Sequence, residues 1–126
     1  MICGVGIDIV TVERIERIVE TRKERFLYRV YTDRECASSL EGGHAAKSLS
    51  GRFAAKEAAM KALGTGWGDG VRWRDFEVVT GSSGKPELFL HGKALSIAEE
   101  RGITTSHVSI SHDAGIASAV VVLEKL

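Results

Sequence analysis

Cysteine and proline are scarce in this chain. Its 126 residues include two cysteines, Cys3 and Cys36, and one proline, Pro86. Two isolated cysteines are too few for a disulfide framework or a zinc site, so we expect a reducing compartment. Cys3 lies in an apolar run and is expected to be a small buried side chain.

Long apolar runs and an excess of charge of one sign are also missing. No segment approaches the roughly 20 apolar residues of a membrane-spanning helix, and the first residues lack the basic segment of a signal peptide. Basic and acidic residues number 17 each, which gives a formal net charge of zero. This balance argues against a nucleic-acid-binding protein that relies on bulk electrostatics. We therefore predict a cytoplasmic protein with neither nucleic acid nor membrane as a partner.

The remaining composition is that of an ordinary globular protein, with 44% hydrophobic and 27% charged residues. We predict one domain over residues 1–126, because a chain of this length builds one core. The order β-α-α-α-β-β-α-β-β predicts a small α+β fold with helices packed against an antiparallel sheet. Strands are predicted at 2–10, 76–80, 87–90, 107–112 and 116–123, and helices at about 11–22, 32–41, 44–63 and 93–101.

The first predicted strand, residues 2–10, is expected to be buried and carries a carboxylate, Asp8, within a strongly apolar pattern. An ionised group there is costly unless it is paired. Gly4 and Gly6 lie on the same side of the pleat and leave room for a close approach beside Asp8. The ordinary alternative is that Asp8 caps a turn or the helix that begins near Thr11, and the pattern leaves both interpretations open.

The third predicted helix aligns Phe53, Glu57 and Lys61 at i, i+4 and i+8, on one face. Together with Asp8, this face offers two carboxylates and an ammonium group. Those are the groups that magnesium-assisted phosphoryl transfer requires: oxygen ligands for the metal and a cation for the developing charge. On spacing alone, Glu57 and Lys61 could instead form a simple surface ion pair.

Three other segments are weaker indicators. Gly64-Thr65-Gly66 follows a helix and lacks a Walker A pattern, so by itself it predicts only a helix end. The turn around Gly84-Lys85 could hold a phosphate or simply be solvated, and His112 could be a polar strand end. The basic residues between Arg14 and Arg34 form either a solvated amphipathic face or a docking face for an acidic partner.

Two motifs bring a resemblance to a known family. They are Gly6-Ile7-Asp8-Ile9-Val10, leading to Arg14, and Phe53-Ala54-Ala55-Lys56-Glu57-Ala58-Ala59-Met60-Lys61-Ala62. The chain resembles the 4′-phosphopantetheinyl transferases, in their short bacterial holo-[acyl-carrier-protein] synthase type, over nearly its whole length. Departures are small: Phe76 replaces an aliphatic residue, and Ile116 stands where an aromatic residue is frequent.

The resemblance implies transfer of 4′-phosphopantetheine from coenzyme A to a serine of apo-acyl carrier protein, in fatty acid biosynthesis, by a homotrimer with active sites between subunits. It implies that Asp8 and Glu57 bind Mg²⁺ and that Lys61 assists the leaving phosphate. The implied coenzyme A-binding residues are Arg52, Gly64, Thr65, Gly66, Lys85, Pro86 and His112. The implied carrier-protein-binding residues are Arg14, Arg17, Arg22 and Arg25.

Alternatives within and outside this resemblance remain open at the level of sequence. The acceptor could be a polyketide or peptide-synthetase carrier, and the chain could be a catalytically silent coenzyme A-binding module. Glu57 and a metal-bound water are both candidates for the base that removes the serine proton. We favour Glu57 as mainly a metal ligand.

Overall fold

The computed structural model describes residues 1–65 and 69–126. Within them, strands and helices follow in the predicted order β-α-α-α-β-β-α-β-β. The strands are β1 (Ile2–Thr11), β2 (Phe76–Thr80), β3 (Pro86–Leu90), β4 (Thr105–Asp113) and β5 (Ile116–Glu124). The helices are α1 (Val12–Val30), α2 (Asp33–Leu40), α3 (Ala45–Leu63) and α4 (Gly92–Glu100). The small α+β fold is confirmed.

The described strands form two antiparallel sheets, where the sequence predicted one. The larger sheet has the order β1-β5-β4, and β2 and β3 form a separate hairpin. Strand β3 lies beside β4 without a backbone ladder between them; a side-chain bond joins the two, from Ser106 Oγ to the Leu88 carbonyl, at 2.9 Å. This separation opens the space in which a groove forms next to α3.

Helix α3 is the centre of the molecule and packs against the larger sheet. Its apolar side chains Leu49, Phe53, Met60 and Leu63 are all buried. The helix ends at Gly64, whose φ of 72° is the left-handed conformation that favours glycine at a helix end. In the described ranges 1–65 and 69–126, no helix combines the length and apolar content needed to cross a membrane.

The contact between β1 and α3 is made by backbone. A Cβ placed on Gly6 would lie 1.9 Å from the Ala58 carbonyl oxygen, and one on Gly4 would lie 1.9 Å from that of Ala62. Only glycine allows the strand to approach the helix this closely. The contact positions Asp8, two residues along β1, beside the outer part of α3.

The prediction that β1 is a buried strand is wrong for one of its two sides. Val5, Ile7 and Ile9 have exposed fractions of 59%, 67% and 65%, and Cys3 is exposed as well. The side that meets α3 is instead the side that carries the glycines. A period of two shows that a strand has two different sides, but it does not say which side meets the helix.

Helix α1 is longer than predicted. Thr11 caps its start as expected, accepting a hydrogen bond from the Arg14 backbone N–H at 3.3 Å. At Arg22, the predicted end, the backbone leaves the helical region with φ −138° and ψ 35° and then resumes as far as Val30. The second part persists because Leu27 and Val30 are buried in the core.

A buried ion pair joins α2, α3 and β2. Lys56 Nζ lies 2.7 Å from Glu35 Oε1, and both side chains are fully buried. The ammonium also donates to the Trp73 and Phe76 carbonyls. Glu35 forms a capping box with Thr32 at the start of α2 and accepts a hydrogen bond from the Val78 N–H at 2.9 Å. These contacts fix α2 and β2 against α3, which sets the walls of the groove described below.

We predict that Gly6→Ala destabilises the fold by about 2–3 kcal/mol, because the new methyl group overlaps the Ala58 carbonyl and pushes β1 away from α3. Urea denaturation at fixed protein concentration measures this change. Gly42→Ala is the matched control, because nothing lies within 4 Å of a Cβ at Gly42. Equal stability of the two variants would show that the close approach is not required.

Candidate active site

Asp8 and Lys61 form an ion pair between β1 and α3. Lys61 Nζ lies 3.1 Å from Asp8 Oδ1 and donates a second hydrogen bond to the Ile7 carbonyl oxygen at 3.0 Å. The Asp8 side chain is 16% exposed and that of Lys61 is 54% exposed. In the described structure, Lys61 therefore pairs across elements with Asp8, and the surface pair with Glu57 that spacing allowed is not the one that forms.

Glu57 lies next to this pair and is half-buried. Burial raises the pKa of the Glu57 carboxyl, and the neighbouring negative charge of Asp8 raises it further. The positive charges of Lys61 and Arg14 act in the opposite direction. The predicted catalytic residues Asp8, Glu57 and Lys61 thus form one cluster, which is negative overall when its carboxyl groups are ionised and Arg14 is not counted.

Arg14 belongs to the surroundings of this cluster as well as to the surface of α1. Its guanidinium carbon lies 5.8 Å from the centre of the Phe53 ring, and that ring stacks on Trp73 with centroids 4.9 Å apart. Phe53 lies one helical turn before Glu57, so the Arg14 side chain extends over the stacked Phe53 and Trp73 rings towards the carboxylates. Arg14, which is predicted to bind a partner protein, therefore also lies beside the cluster of Asp8, Glu57 and Lys61.

The other predicted partner-binding residues lie further along α1. Arg17 is ion-paired with Glu13, Arg22 is the residue at the kink, and Arg25 is exposed on the second part of the helix. Together with Arg14 they form a basic face on one helix. The geometry is compatible with the docking of an acidic surface along α1.

The two carboxylates are compatible with a magnesium ion. No group of three or more histidine, cysteine, aspartate or glutamate side chains suited to a metal occurs in segments 1–65 and 69–126. Mg²⁺ does not need one, because it commonly takes one or two carboxylates and completes its shell with water and substrate phosphates. A divalent cation would also relieve the repulsion between Asp8 and Glu57 that raises the Glu57 pKa.

A second feature is a groove of about 390 Å³ on another side of α3, which we call the α3–β4 groove. Its polar and turn residues come from α3 and its N-cap, from β2, from the turn before β3 and from β4: His44, Lys47, Ser48, Arg52, Thr80, Gly84, Pro86 and His112. Lysine, arginine and histidine side chains surrounding one groove are the residue types that bind phosphate groups.

Arg52 is the most unusual group in the α3–β4 groove. Only 6% of the residue is exposed, and its guanidinium donates to the hydroxyls of Ser38, Ser39, Ser48 and Thr80 and to the Val78 carbonyl. Burial lowers the pKa of this guanidinium. All of these described partners are neutral, so a buried positive charge stands at the groove without a directly paired carboxylate, which favours an anionic ligand.

His112 is held at the other wall of the α3–β4 groove. Its Nε2 lies 2.9 Å from the Lys47 carbonyl oxygen, and because a carbonyl only accepts, that nitrogen carries the proton. A Cβ on Gly51 would lie 3.0 Å from the His112 ring, so Gly51 allows the ring to pack on α3. The predicted ligand-binding residues Arg52, Pro86 and His112 are therefore brought together.

Three further predicted ligand-binding residues, Gly64, Thr65 and Lys85, do not line the α3–β4 groove. Gly64 and Thr65 lie at the C-terminal end of α3, where the Thr65 N–H donates to the Met60 carbonyl at 3.1 Å. Lys85 is exposed on the turn before β3 and lines a neighbouring groove between β3 and β4. Gly66 lies outside the described residues.

Sequence reasoning missed Lys47, Ser48 and Thr80 as groove residues. A signal existed for the first two, because Lys47 and Ser48 precede Gly51 and Arg52 by one helical turn each and so share their face of α3. Thr80 gave no signal, because its place depends on where the β2–β3 hairpin meets α3.

Comparisons with known proteins identify the family of the chain. Residues 4–119 match the family model of the 4′-phosphopantetheinyl transferase superfamily. The chain is 46% identical to the holo-[acyl-carrier-protein] synthase of Solibacter usitatus, over 98% of this chain and 99% of that protein. It is similar in structure to the Neisseria meningitidis holo-[acyl-carrier-protein] synthase, with a TM-score of 0.90, 37% identity, and 99% and 100% of the two chains covered.

A further solved structure is the Helicobacter pylori holo-[acyl-carrier-protein] synthase in complex with coenzyme A. The TM-score is 0.84 at 35% identity, and the match covers 95% of this chain and 99% of that one. The match to the family model spans most of the chain, and the relatives are matched from end to end. From this similarity and from the cluster on β1 and α3, it follows that the chain belongs to the 4′-phosphopantetheinyl transferase superfamily.

Proposed function

We propose that this protein is a holo-[acyl-carrier-protein] synthase. It transfers 4′-phosphopantetheine from coenzyme A to a serine of apo-acyl carrier protein and releases adenosine 3′,5′-bisphosphate. The reaction depends on Mg²⁺ and takes place in the cytoplasm, as a step in fatty acid biosynthesis. The observation that carries the proposal is the cluster of Asp8, Glu57 and Lys61, which the backbone contact between β1 and α3 assembles.

Asp8 and Glu57 are the residues that would hold the magnesium ion. When bound, the metal neutralises charge on the pyrophosphate of coenzyme A and polarises it towards attack. Lys61 supplies an ammonium group on the same face of α3 for the phosphate that leaves. The protein itself performs little covalent chemistry in this reaction. Its contribution to catalysis is mainly the positioning of the reactants and the compensation of charge by these three side chains.

The α3–β4 groove is the site proposed for the nucleotide end of coenzyme A. Arg52, Lys47 and His112 supply positive or hydrogen-bonding groups for its phosphates, and Pro86 with its turn supplies an apolar edge for the base. Gly64, Thr65, Gly66 and Lys85 remain proposed contacts, at the helix end and on the neighbouring turn.

The positions of the two features favour a site shared between subunits. Gly51 in the groove and Glu57 in the cluster are six residues apart on α3, which corresponds to roughly 240° around the helix and about 9 Å along it. A single ligand does not wrap a buried helix to reach both sides. One ligand can contact both features if the α3–β4 groove of a neighbouring copy lies next to this cluster. We therefore propose a homotrimer with active sites between subunits.

The exposed side of β1 supports this assembly. Val5, Ile7 and Ile9 are 59–67% exposed, and the neighbouring strand β5 adds Val120 and Val122 at the paired positions. A contiguous apolar strip on a sheet is a common interface between subunits and a liability when uncovered. Identical copies arranged around a threefold axis cover it in a closed assembly.

The first test is intact-mass spectrometry of an apo-acyl carrier protein incubated with this protein, coenzyme A and Mg²⁺. We expect a gain of roughly 340 Da, one phosphopantetheine group, and no gain in EDTA, because the metal is part of the reaction. The same incubation with a polyketide-type and a peptide-synthetase-type carrier compares acceptors. Binding of coenzyme A without a mass gain on any carrier would favour the silent binding module instead.

The shared site predicts complementation between two inactive variants. Asp8→Asn removes a carboxylate of the cluster and His112→Ala alters the groove, so each variant alone is expected to transfer poorly. In a mixture unfolded and refolded at a 1:1 ratio, about a quarter of the sites combine an intact cluster with an intact groove. Transfer activity in the mixture therefore rises well above that of either variant. Activity equal to the mean of the two variants would contradict sharing.

The basic face of α1 predicts a charge effect on carrier binding. Arg25→Glu is expected to raise the KM for apo-acyl carrier protein on the order of tenfold and to leave the KM for coenzyme A unchanged, because electrostatic complementarity is lost only towards an acidic partner. Arg25 is preferable to Arg14 here, since Arg14 also influences Glu57. Lys93→Glu on α4 is the control with the same charge change. A similar rise in KM for both variants would show that overall charge, and not this face, is responsible.

A further inference from the structure

The partner of Lys61 has a consequence for the metal. The ammonium group contacts β1 twice, at Asp8 Oδ1 and at the Ile7 carbonyl, at 3.1 and 3.0 Å. Both contacts lie beside the carboxylate that is proposed to hold the cation. The side chain best placed to assist a leaving phosphate is therefore bound to a proposed metal ligand.

An ammonium group and a divalent cation compete for the same carboxylate. Each is stabilised by the charge of Asp8, and the two repel each other at short distance. Of the two proposed metal ligands, Lys61 contacts only Asp8. Its positive charge influences the Glu57 carboxyl without a direct contact. A cation that enters the cluster therefore weakens the Lys61–Asp8 bond directly.

We propose that Lys61 is the internal counter-ion of Asp8, that a divalent cation displaces it, and that this exchange frees the Lys61 ammonium to reach the phosphate. The inference rests on the proposed magnesium site. Events at the site then follow a fixed order. Lys61 holds Asp8 in position before the metal binds, and the Lys61 ammonium becomes available for the substrate afterwards. A strong, buried pair could not exchange in this way.

The exposure of the pair makes the exchange feasible. The Lys61 side chain is 54% exposed, so solvent screens its attraction to Asp8 and its four-carbon stem has space to move. The contrast with Lys56 on the same helix is informative. Lys56 is fully buried against Glu35 and two carbonyl groups, which leaves it no room for a second position. One helix thus carries a fixed lysine and an exchangeable one.

The first experiment measures cation affinity in the absence of coenzyme A and carrier. Electron paramagnetic resonance follows free Mn²⁺ during titration of the whole protein, with Mg²⁺ as competitor. Removal of the counter-ion in Lys61→Met is expected to tighten binding roughly two- to fivefold, the range set by partly exposed ion pairs. Asp8→Asn is expected to abolish binding at the site.

Arg14→Met is the matched control, because it also removes a positive charge close to Glu57 but no bond to Asp8. We expect a smaller gain in affinity than for Lys61→Met. Equal gains in cation affinity for the two variants would show that any nearby positive side chain repels the cation to the same extent. That result would overturn the proposal. Unchanged or weaker binding by Lys61→Met, or absence of cation binding in both proteins, would overturn it as well.

The second experiment detects the freed ammonium in the natural sequence. Brief modification with an amine-reactive ester, followed by peptide mass spectrometry, reports the reactivity of Lys61 relative to exposed Lys23 as an internal standard. We expect Mg²⁺ to increase the relative reactivity of Lys61 at least twofold, because its nitrogen is no longer held against the Asp8 carboxylate and the Ile7 carbonyl. In Asp8→Asn the reactivity is expected to be high already and indifferent to Mg²⁺.

Protection of Lys61 by Mg²⁺, or reactivity that Mg²⁺ leaves unchanged, would overturn the exchange. Neither experiment uses the transfer reaction, so the outcomes separate the two proposals. Transfer of phosphopantetheine without exchange would reject only this inference. Exchange without transfer to any carrier would reject only the proposed function.

Discussion

The close backbone approach of β1 to α3 is the constraint on which the site depends. At Gly4 and Gly6 the strand lies so near the helix that no side chain fits between them. Asp8 follows two residues later, and Lys61 stands next to Ala62 on the helix, so a lysine stem spans the gap to the carboxylate. A wider separation would leave two charged groups facing each other across water, where their attraction is weak.

The same helix meets different neighbours on its other sides, and this explains its composition. Alanine occupies many of its buried positions, including Ala54, Ala55, Ala58 and Ala59, because strands and loops approach it closely from several directions. The two buried charged residues of α3, Arg52 and Lys56, both have fixed partners. Lys56 has Glu35 and two carbonyls, and Arg52 has four hydroxyls and a carbonyl. Helix α2 and strand β2 supply partners to both residues, so the same two elements stabilise Arg52 in the groove and Lys56 in the core.

Much of the fold followed from local chemistry. Thr11 and Thr32 cap helices as their residue types indicate, and Gly64 ends α3 in the left-handed conformation. These features depend on neighbours within a few residues, which a sequence displays directly. The kink at Arg22 and the continuation of α1 depend instead on the burial of Leu27 and Val30 against distant parts of the chain. Such contacts have no local signal, so the helix was predicted to end where it only bends.

The outward side of β1 was mispredicted for a related reason. The apolar pattern of residues 2–10 predicts a strand that is buried, and this includes the side that carries Val5, Ile7 and Ile9. Within the chain the glycine side is covered instead. Both statements are compatible if the apolar side is covered by another copy, since sequence patterns record burial in the assembled protein and not only within one chain.

For the site, spacing could place Glu57 and Lys61 on one face, but not the partner of Lys61. Helical geometry relates residues on the same helix, whereas the bond to Asp8 depends on how far β1 lies from α3. That distance is set by Gly4 and Gly6, the residues with no side chain to reveal their role. Glycines beside a carboxylate in an apolar strand therefore indicate more than local flexibility. Here they fix the distance at which Lys61 reaches Asp8. A bulkier residue at either position would separate the two charged side chains without changing either of them.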